Sequence, residues 1–176
     1  MGGGGTANRG GGPLNARQLT GVISACREAG ELARILQEQR EVLDHIHVSA
    51  AWVCLARMGG GRGGGEVGDA VDALHDLTWG VLDQAGGRQI ANVMHSMKKL
   101  DEVGLLADPK LLEAMQRRAM ATAADFKPQN VANVLWALAT MGEKADRGLL
   151  EAMQRRATAT AGEFRSEEHT SELQSR

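Results

Sequence analysis

The sequence contains no tyrosine, only two phenylalanines and only three prolines in 176 residues. Strands are built largely from aromatic and β-branched residues, so a β-rich fold has little material here. Because prolines are so few, few positions are barred from helix. Alanine, leucine, methionine, glutamine, glutamate and arginine are plentiful, and all of them favour helix. The composition predicts an all-α protein.

Long apolar runs are also missing, since no stretch of eighteen apolar residues occurs, and we expect no membrane partner. The first thirteen residues lack both the apolar core of a signal peptide and the arginine-rich pattern of a transit peptide. Cys26 and Cys54 are the only cysteines, which predicts buried thiols in a reducing compartment. No nucleophile, base and orienting acid form a recognisable set. We therefore expect no enzymatic activity, cofactor, metal or small-molecule substrate.

The 23 glycines are concentrated in two tracts, one at the N-terminus and one at GGGRGGG (59–65). Such tracts are flexible and bury little apolar surface. We predict a disordered N-terminus over 1–13 and a linker over 60–69, with helical repeats over 14–59 and 70–164.

The tail RSEEHTSELQS (165–175) fits nothing before it and matches the one-frame translation of a widely used sequencing-library adapter. We predict that residues 165–176 are not native protein and are disordered. The natural C-terminus would then be missing from this fragment. We expect the repeat array to continue beyond it.

An internal repeat is the strongest signal in the sequence. LLEAMQRRAMATAADF (111–126) and LLEAMQRRATATAGEF (149–164) are identical at 13 of 16 positions, 38 residues apart. Weaker copies upstream bring the number of units to four, with a period of 38 to 41. Each unit is predicted to contain two helices, and in three of the units the first helix ends at a glycine (Gly30, Gly59 or Gly142). Because one hairpin cannot bury its own apolar stripe, we predict an α-solenoid of about four stacked helical hairpins.

The stretch FKPQNVANVLWALATMG (126–142), with its spacing of 38, resembles the octotricopeptide repeat, which is related to helical regions of FAST-kinase-like and RAP-domain proteins. The resemblance covers roughly residues 14–164. It implies binding of single-stranded RNA in an organelle, the chloroplast ahead of the mitochondrion, and a role in transcript processing, stability or translation. Two features depart from the family: the Pro-Pro-Pro-Glu-Trp element is replaced by Asp108-Pro109 and by residues 145–147, and no RAP domain is present.

Small or polar residues form a line along the first helices, opposite the apolar stripe. In the last repeat this line includes Ala137. In modular RNA readers two or three side chains per repeat contact one base, and amides are suited to this because they both donate and accept. An amide ladder between repeats, or plain solvent exposure, is the alternative. The predicted RNA contacts are Gln18, Gln89, Asn92, Ser96, Lys99, Asn130, Asn133 and Thr140.

Arginine pairs recur once per repeat on the second helices, at spacings suited to phosphate contacts. An ordinary solvated face is the favoured alternative, because glutamates four residues earlier can pair with two of the arginines. The predicted phosphate contacts are Arg117, Arg118, Arg155 and Arg156. We expect the three tryptophans, Trp52, Trp79 and Trp136, to lie in the core between repeats, with base stacking as the alternative.

The formal net charge of −2 counts against nucleic acid, since phosphate-binding proteins are usually basic. A protein-binding scaffold of the HEAT or armadillo type is therefore the main alternative, and a fragment too short to bind anything well is another. A basic inner face with exposed amides would favour RNA. An apolar or acidic inner face would favour the scaffold.

Overall fold

The computed structural model describes residues 14–59, 64–102, 104, 108–142 and 145–174, which form eight α-helices and no strand. The prediction of an all-α fold is confirmed. The predicted disordered N-terminus lies outside the described residues. The helices are α1 (Ala16–Ala25), α2 (Ala29–Glu38), α3 (His45–Met58), α4 (Gly64–Val81), α5 (Gly87–Asp101), α6 (Pro109–Ala121), α7 (Pro128–Met141) and α8 (Arg147–Gln174).

The odd-numbered helices pack in series, α1 on α3, α3 on α5 and α5 on α7. Among the even-numbered helices, α2 packs on α4 and α6 packs on α8. Contacts of α3 with α4, α5 with α6, and α7 with α8 join the two layers around one apolar core. Within the described ranges, no helix is both long and apolar enough to cross a membrane.

Local chemistry explains where several helices begin and end. Asn15 and Asp44 cap α1 and α3 through their side chains, and in each case the side chain three positions later accepts a hydrogen bond from the backbone N–H of the cap residue. A proline occupies the first turn of both α6 and α7. Gly59 and Gly142 end α3 and α7 with φ of 67° and 68°, as the repeat predicts.

The first helix is shorter than the repeat alignment predicts. α1 ends at Ala25, and Gly30 lies in the first turn of α2, so the prediction that Gly30 ends a first helix is wrong. A Cβ at position 30 would lie 2.9 Å from the carboxyl carbon of Glu66 in α4, the end of an exposed and flexible side chain that can move aside.

Two stretches predicted to be non-helical are helical where they are described. α4 begins at Gly64, so it includes the last six residues of the linker predicted over 60–69. α8 continues to Gln174, across most of the tail predicted to be disordered. From 163 to 174 the sequence contains neither proline nor glycine, and glutamate, leucine and glutamine there favour helix. Local helix propensity therefore extends α8 through this tail.

Cys26 and Cys54 are free and buried, as predicted. The Cys54 thiol donates to the carbonyl oxygen of Cys26 at 3.5 Å, across the contact between α1 and α3. Burial raises the pKa of both thiols, so both are protonated near neutral pH.

Candidate nucleic-acid interface

The four odd-numbered helices share one register, because each follows an N-cap residue at the corresponding point of its repeat (Asn15, Asp44, Gly86 or Lys127). Residues 2, 6, 9 and 13 positions after the N-cap are exposed or half-buried in every one of these helices. Since α1 ends early, it contributes only three of them. We call this surface the first-helix face; it consists of Arg17, Gly21, Ser24, Ile46, Ala50, Val53, Arg57, Arg88, Asn92, His95, Lys99, Gln129, Asn133, Trp136 and Thr140.

The first-helix face is basic. Its fifteen positions include Arg17, Arg57, Arg88 and Lys99 and no acidic residue. Glu28, the next residue in line, lies beyond the end of α1 at the N-cap position of α2, where its side chain makes no capping bond. In a chain of formal charge −2, this face therefore carries four of the 20 basic residues and none of the 22 acidic ones.

The structure divides the predicted RNA-contact line into two groups. Asn92, Lys99, Asn133 and Thr140 lie on the first-helix face. The other predicted contacts lie elsewhere: Gln18, Gln89 and Asn130 are three positions after the N-cap, and Ser96 is ten positions after it. In α3 the residues at these positions bond to α1: His47 Nε2 lies 2.9 Å from the carbonyl oxygen of Ala16, and Cys54 bonds as described above. Positions 3 and 10 therefore serve the contact with the preceding odd-numbered helix.

Ser96, predicted as an RNA contact, is only 1% exposed, and its hydroxyl donates to the carbonyl oxygen of Asn92 at 2.8 Å. It is not available to a ligand. Ala137, at the same position of α7, is fully buried, because small side chains are needed where these helices approach closely. Gln89 and Asn130 are half-buried, and Gln18 is exposed on α1.

The two amides on the first-helix face have different neighbours. Asn92 Nδ2 donates to Ser49 Oγ of α3 at 3.5 Å, which is the kind of inter-repeat contact that the amide-ladder alternative predicts. Asn133 Oδ1 instead accepts from Gln129 Nε2 of its own helix at 3.1 Å. In the described part of the chain, Asn92 Oδ1 and Asn133 Nδ2 have no protein partner, so each amide retains hydrogen-bonding capacity.

His95 and Trp136 occupy the same position of α5 and α7 and were not part of the predicted line. Their ring centroids are 5.0 Å apart with a tilt of 34°. The Lys98 ammonium lies 4.7 Å from the Trp136 ring centroid, within cation–π range. Burial, together with the charges of Lys99 and Lys98, lowers the pKa of His95, so this imidazole is neutral at pH 7. The recurrence of a ring at one repeat position was the sequence signal for this pair.

Arg118 and Arg156, two of the predicted phosphate contacts, tie consecutive repeats together. Arg118 Nε donates to the carbonyl oxygen of Ala85 at 2.9 Å, and Arg156 Nε donates to that of Phe126 at 2.5 Å. Ala85 and Phe126 are corresponding residues, each following a short 3-10 turn in the preceding repeat. Each guanidinium thus donates to a carbonyl oxygen that accepts no hydrogen bond within a helix. Neither the phosphate nor the solvated-face interpretation anticipated this contact.

Arg117 and Arg155 are exposed on the even-numbered layer, away from the first-helix face. Arg117 pairs with Glu113 at 2.5 Å, as the spacing of four predicts. An exposed pair of this kind contributes little to stability. These two positions fit the solvated-face interpretation.

The even-numbered layer has a different character at α4. This helix contains four acidic residues and no basic one. Trp79, near its C-terminal end, is 45% exposed, and Trp136 on the opposite layer is 43% exposed. The expectation of buried tryptophans is therefore wrong for these two. It is confirmed for Trp52, which is buried and donates from Nε1 to Thr78 Oγ1 at 2.9 Å.

No cluster of three or more histidine, cysteine, aspartate or glutamate residues is placed to hold a metal in the described ranges. Comparison with models of protein families gives no match, and comparison with curated proteins gives no match either. The fold and this surface are therefore the basis for describing the chain: it is an all-helical protein with a basic, amide-bearing face along its odd-numbered helices.

Proposed function

We propose that this chain binds single-stranded RNA along the first-helix face, as a stretch of α-solenoid without enzymatic activity. The observation that carries the proposal is the charge of that face, four basic and no acidic residues in a chain of net charge −2. A basic surface attracts the phosphate backbone at long range and orients it before contact. The serial packing of α1, α3, α5 and α7 supports a solenoid, because it sets corresponding positions side by side.

Within this face the residues divide into two roles. Arg17, Arg88 and Lys99 contact phosphates, which fixes the register of the RNA without reading its sequence. Asn92 and Asn133 stand at corresponding positions with amide groups still able to donate or accept, so they contact base edges. An organelle setting, the chloroplast ahead of the mitochondrion, and a role in transcript processing, stability or translation rest on the resemblance to octotricopeptide repeats.

A protein-binding scaffold remains the second candidate, and α4 is the observation that favours it. Its four acidic residues and the exposed Trp79 would suit a basic protein partner on the even-numbered layer. The two candidates use opposite layers, so substitutions on the first-helix face leave the α4 surface unchanged.

The test measures binding of a fluorescein-labelled single-stranded RNA pool by anisotropy at several salt concentrations. Arg88→Gln combined with Lys99→Gln should reduce the slope of log affinity against log salt by about 1.4, at about 0.7 per lost phosphate contact. Arg34→Gln combined with Arg147→Gln removes the same charge from exposed positions of α2 and α8 and should leave the slope unchanged. Equal losses in both variants, or no RNA binding by the unaltered chain, would overturn the proposal.

Base reading is tested separately, on RNA selected by crosslinking and sequencing. Asn92→Ala and Asn133→Ala should each relax the preference at one base, at a cost of about 1–3 kcal/mol for the preferred sequence only. A uniform loss over all sequences would show that these amides do not read bases.

A further inference from the structure

One indole ring lies on the first-helix face, and its position is fixed from below. The Trp136 ring of α7 contacts two side chains of α5: the His95 imidazole, with 5.0 Å between ring centroids, and the Lys98 ammonium, 4.7 Å from the indole centroid. Lys98 is itself buried and pairs with Glu102. Trp136 nevertheless remains 43% exposed. The indole is therefore held in place by α5 while part of it stays open to solvent.

The exposure of Trp136 does not depend on its place in the last odd-numbered helix. Trp136 stands nine positions after the N-cap of α7, and Val53 stands at the same position of α3. Val53 is also 43% exposed, although α5 packs on α3. His95, the counterpart in α5, is only half-buried, although α7 packs on α5. This position therefore faces solvent in repeats that have a successor as well.

The groups that surround Trp136 suit the other parts of a nucleotide. Asn133 lies three residues earlier on the same side of α7, at a spacing that puts Cβ atoms about 5–6 Å apart. Its Nδ2 has no protein partner within the described ranges. Lys99 of α5 is exposed one helical turn after His95, whose ring contacts the indole. A flat ring, an amide and a cation thus lie on one surface, matching the face of a base, its edge and its phosphate.

We infer that one RNA base stacks on the Trp136 indole while Asn133 bonds to the edge of that base and Lys99 contacts a neighbouring phosphate. The inference rests on the RNA binding proposed above and adds the stacking contact, which neither an amide nor an ammonium can provide. Because every base has a π face, stacking accepts any base, and the choice between bases falls to Asn133. Trp79 is unsuited to this role, since α4 contains four acidic residues and no basic one.

The first test is the tryptophan fluorescence of the full chain during titration with the unlabelled single-stranded RNA pool. A base stacked on the indole quenches its emission, so we expect quenching that saturates with binding. Trp136→Leu should abolish the quenching. The matched control is Trp79→Leu, which should retain it, because Trp79 is 45% exposed but lies on the opposite layer. A strand of abasic nucleotides should bind through its phosphates without quenching.

The second test is affinity, measured by anisotropy with the labelled pool. Trp136→Leu should weaken binding about 5- to 100-fold, the range expected for one base–aromatic stack. The slope of log affinity against log salt should stay unchanged, because no phosphate contact is lost. Trp136→Phe keeps a ring and should retain most of the affinity, and circular dichroism checks that both variants keep their helix content.

The outcomes separate this inference from the RNA binding on which it rests. Binding by anisotropy without quenching at Trp136 would overturn the stacking contact and leave the proposed RNA binding intact. Equal losses of affinity in Trp136→Phe and Trp136→Leu, or quenching that disappears with Trp79→Leu instead, would do the same. Absence of RNA binding by the unaltered chain would overturn both.

Discussion

Replacing Arg118 by alanine should destabilise the protein far more than replacing its neighbour Arg117. Arg118 is half-buried and donates to the carbonyl oxygen of Ala85 at 2.9 Å, so alanine leaves that carbonyl unsatisfied between two repeats. A hydrogen bond with a charged donor contributes about 1.5–3 kcal/mol, and partial solvent access places the expected loss near the lower end. Arg117 makes only an exposed pair with Glu113, which contributes about 0.3–0.5 kcal/mol.

Urea denaturation followed by circular dichroism at 222 nm gives the comparison directly. With an m-value of about 1–3 kcal/mol/M, a loss of 1.5 kcal/mol lowers the midpoint by about 0.5–1.5 M. Arg118→Ala should also broaden the transition, because the bond couples the repeat that contains α4 to the one that contains α6. The pair Arg155 and Arg156 repeats the experiment, since Arg156 bonds to Phe126 in the same way. If Arg117→Ala lowers the free energy of unfolding as much as Arg118→Ala does, the hydrogen bond from Arg118 to the carbonyl oxygen of Ala85 does not stabilise the protein.

Three further predictions concern stability. Leu112→Ala should cost about 2–4 kcal/mol and Leu150→Ala less than about 1 kcal/mol in dilute protein, because only Leu112 is buried; equal losses by urea denaturation would contradict this. Gly68→Ala should stabilise α4 by up to about 1 kcal/mol, since the added Cβ would meet nothing within 4 Å. Gly87→Ala should instead lower the melting temperature, because the added Cβ would lie 2.5 Å from the Phe126 ring. Burial holds the pKa of His75 below its ordinary value of 6.5, so on acidification the unfolded chain takes up a proton before the folded protein does. The free energy of unfolding should therefore fall as the pH drops below about 6.5 and level off below the pKa of the folded state. His75→Gln should remove that part of the pH dependence, and an unchanged pH profile of the free energy of unfolding would refute the assignment.

The repeat itself was sufficient to predict the later helices. Near-identity over 16 residues at a spacing of 38 locates α6 and α8, and the glycines that end α3 and α7 behave as expected because a positive φ is required there. The N-terminal repeat was harder to predict. There the alignment is weak, and Gly30 matches the position of a helix-ending glycine although it lies in the first turn of α2.

The predicted contact line and the exposed face share only some positions, and the difference is one of helical phase. Asn92 and Asn133 were predicted because polar residues recur at their position, and both lie on the exposed face, whereas Ser96 was placed on the same line although it is buried. A small polar residue is equally suited to a surface and to a tight helix contact, so its type does not distinguish the two. Only the packing of α3, α5 and α7 shows that the exposed line includes His95 and Trp136.

The arginine pairs show a second limit of the sequence. Arg117 and Arg118 are adjacent and chemically identical, and an adjacent pair on a helix differs in direction by about a quarter turn. One side chain therefore meets solvent and the other meets the carbonyl group of Ala85. The position of that carbonyl depends on a turn more than thirty residues earlier, which no local pattern reveals.

The only two sulfhydryl groups of the chain sit at the junction of its first and third helices. Because both are protonated and enclosed, a maleimide reagent can modify them only after α1 has peeled away from α3. The rate of alkylation in native buffer consequently measures how often α1 separates from α3. It requires no added dye and does not respond to motion at α7 or α8.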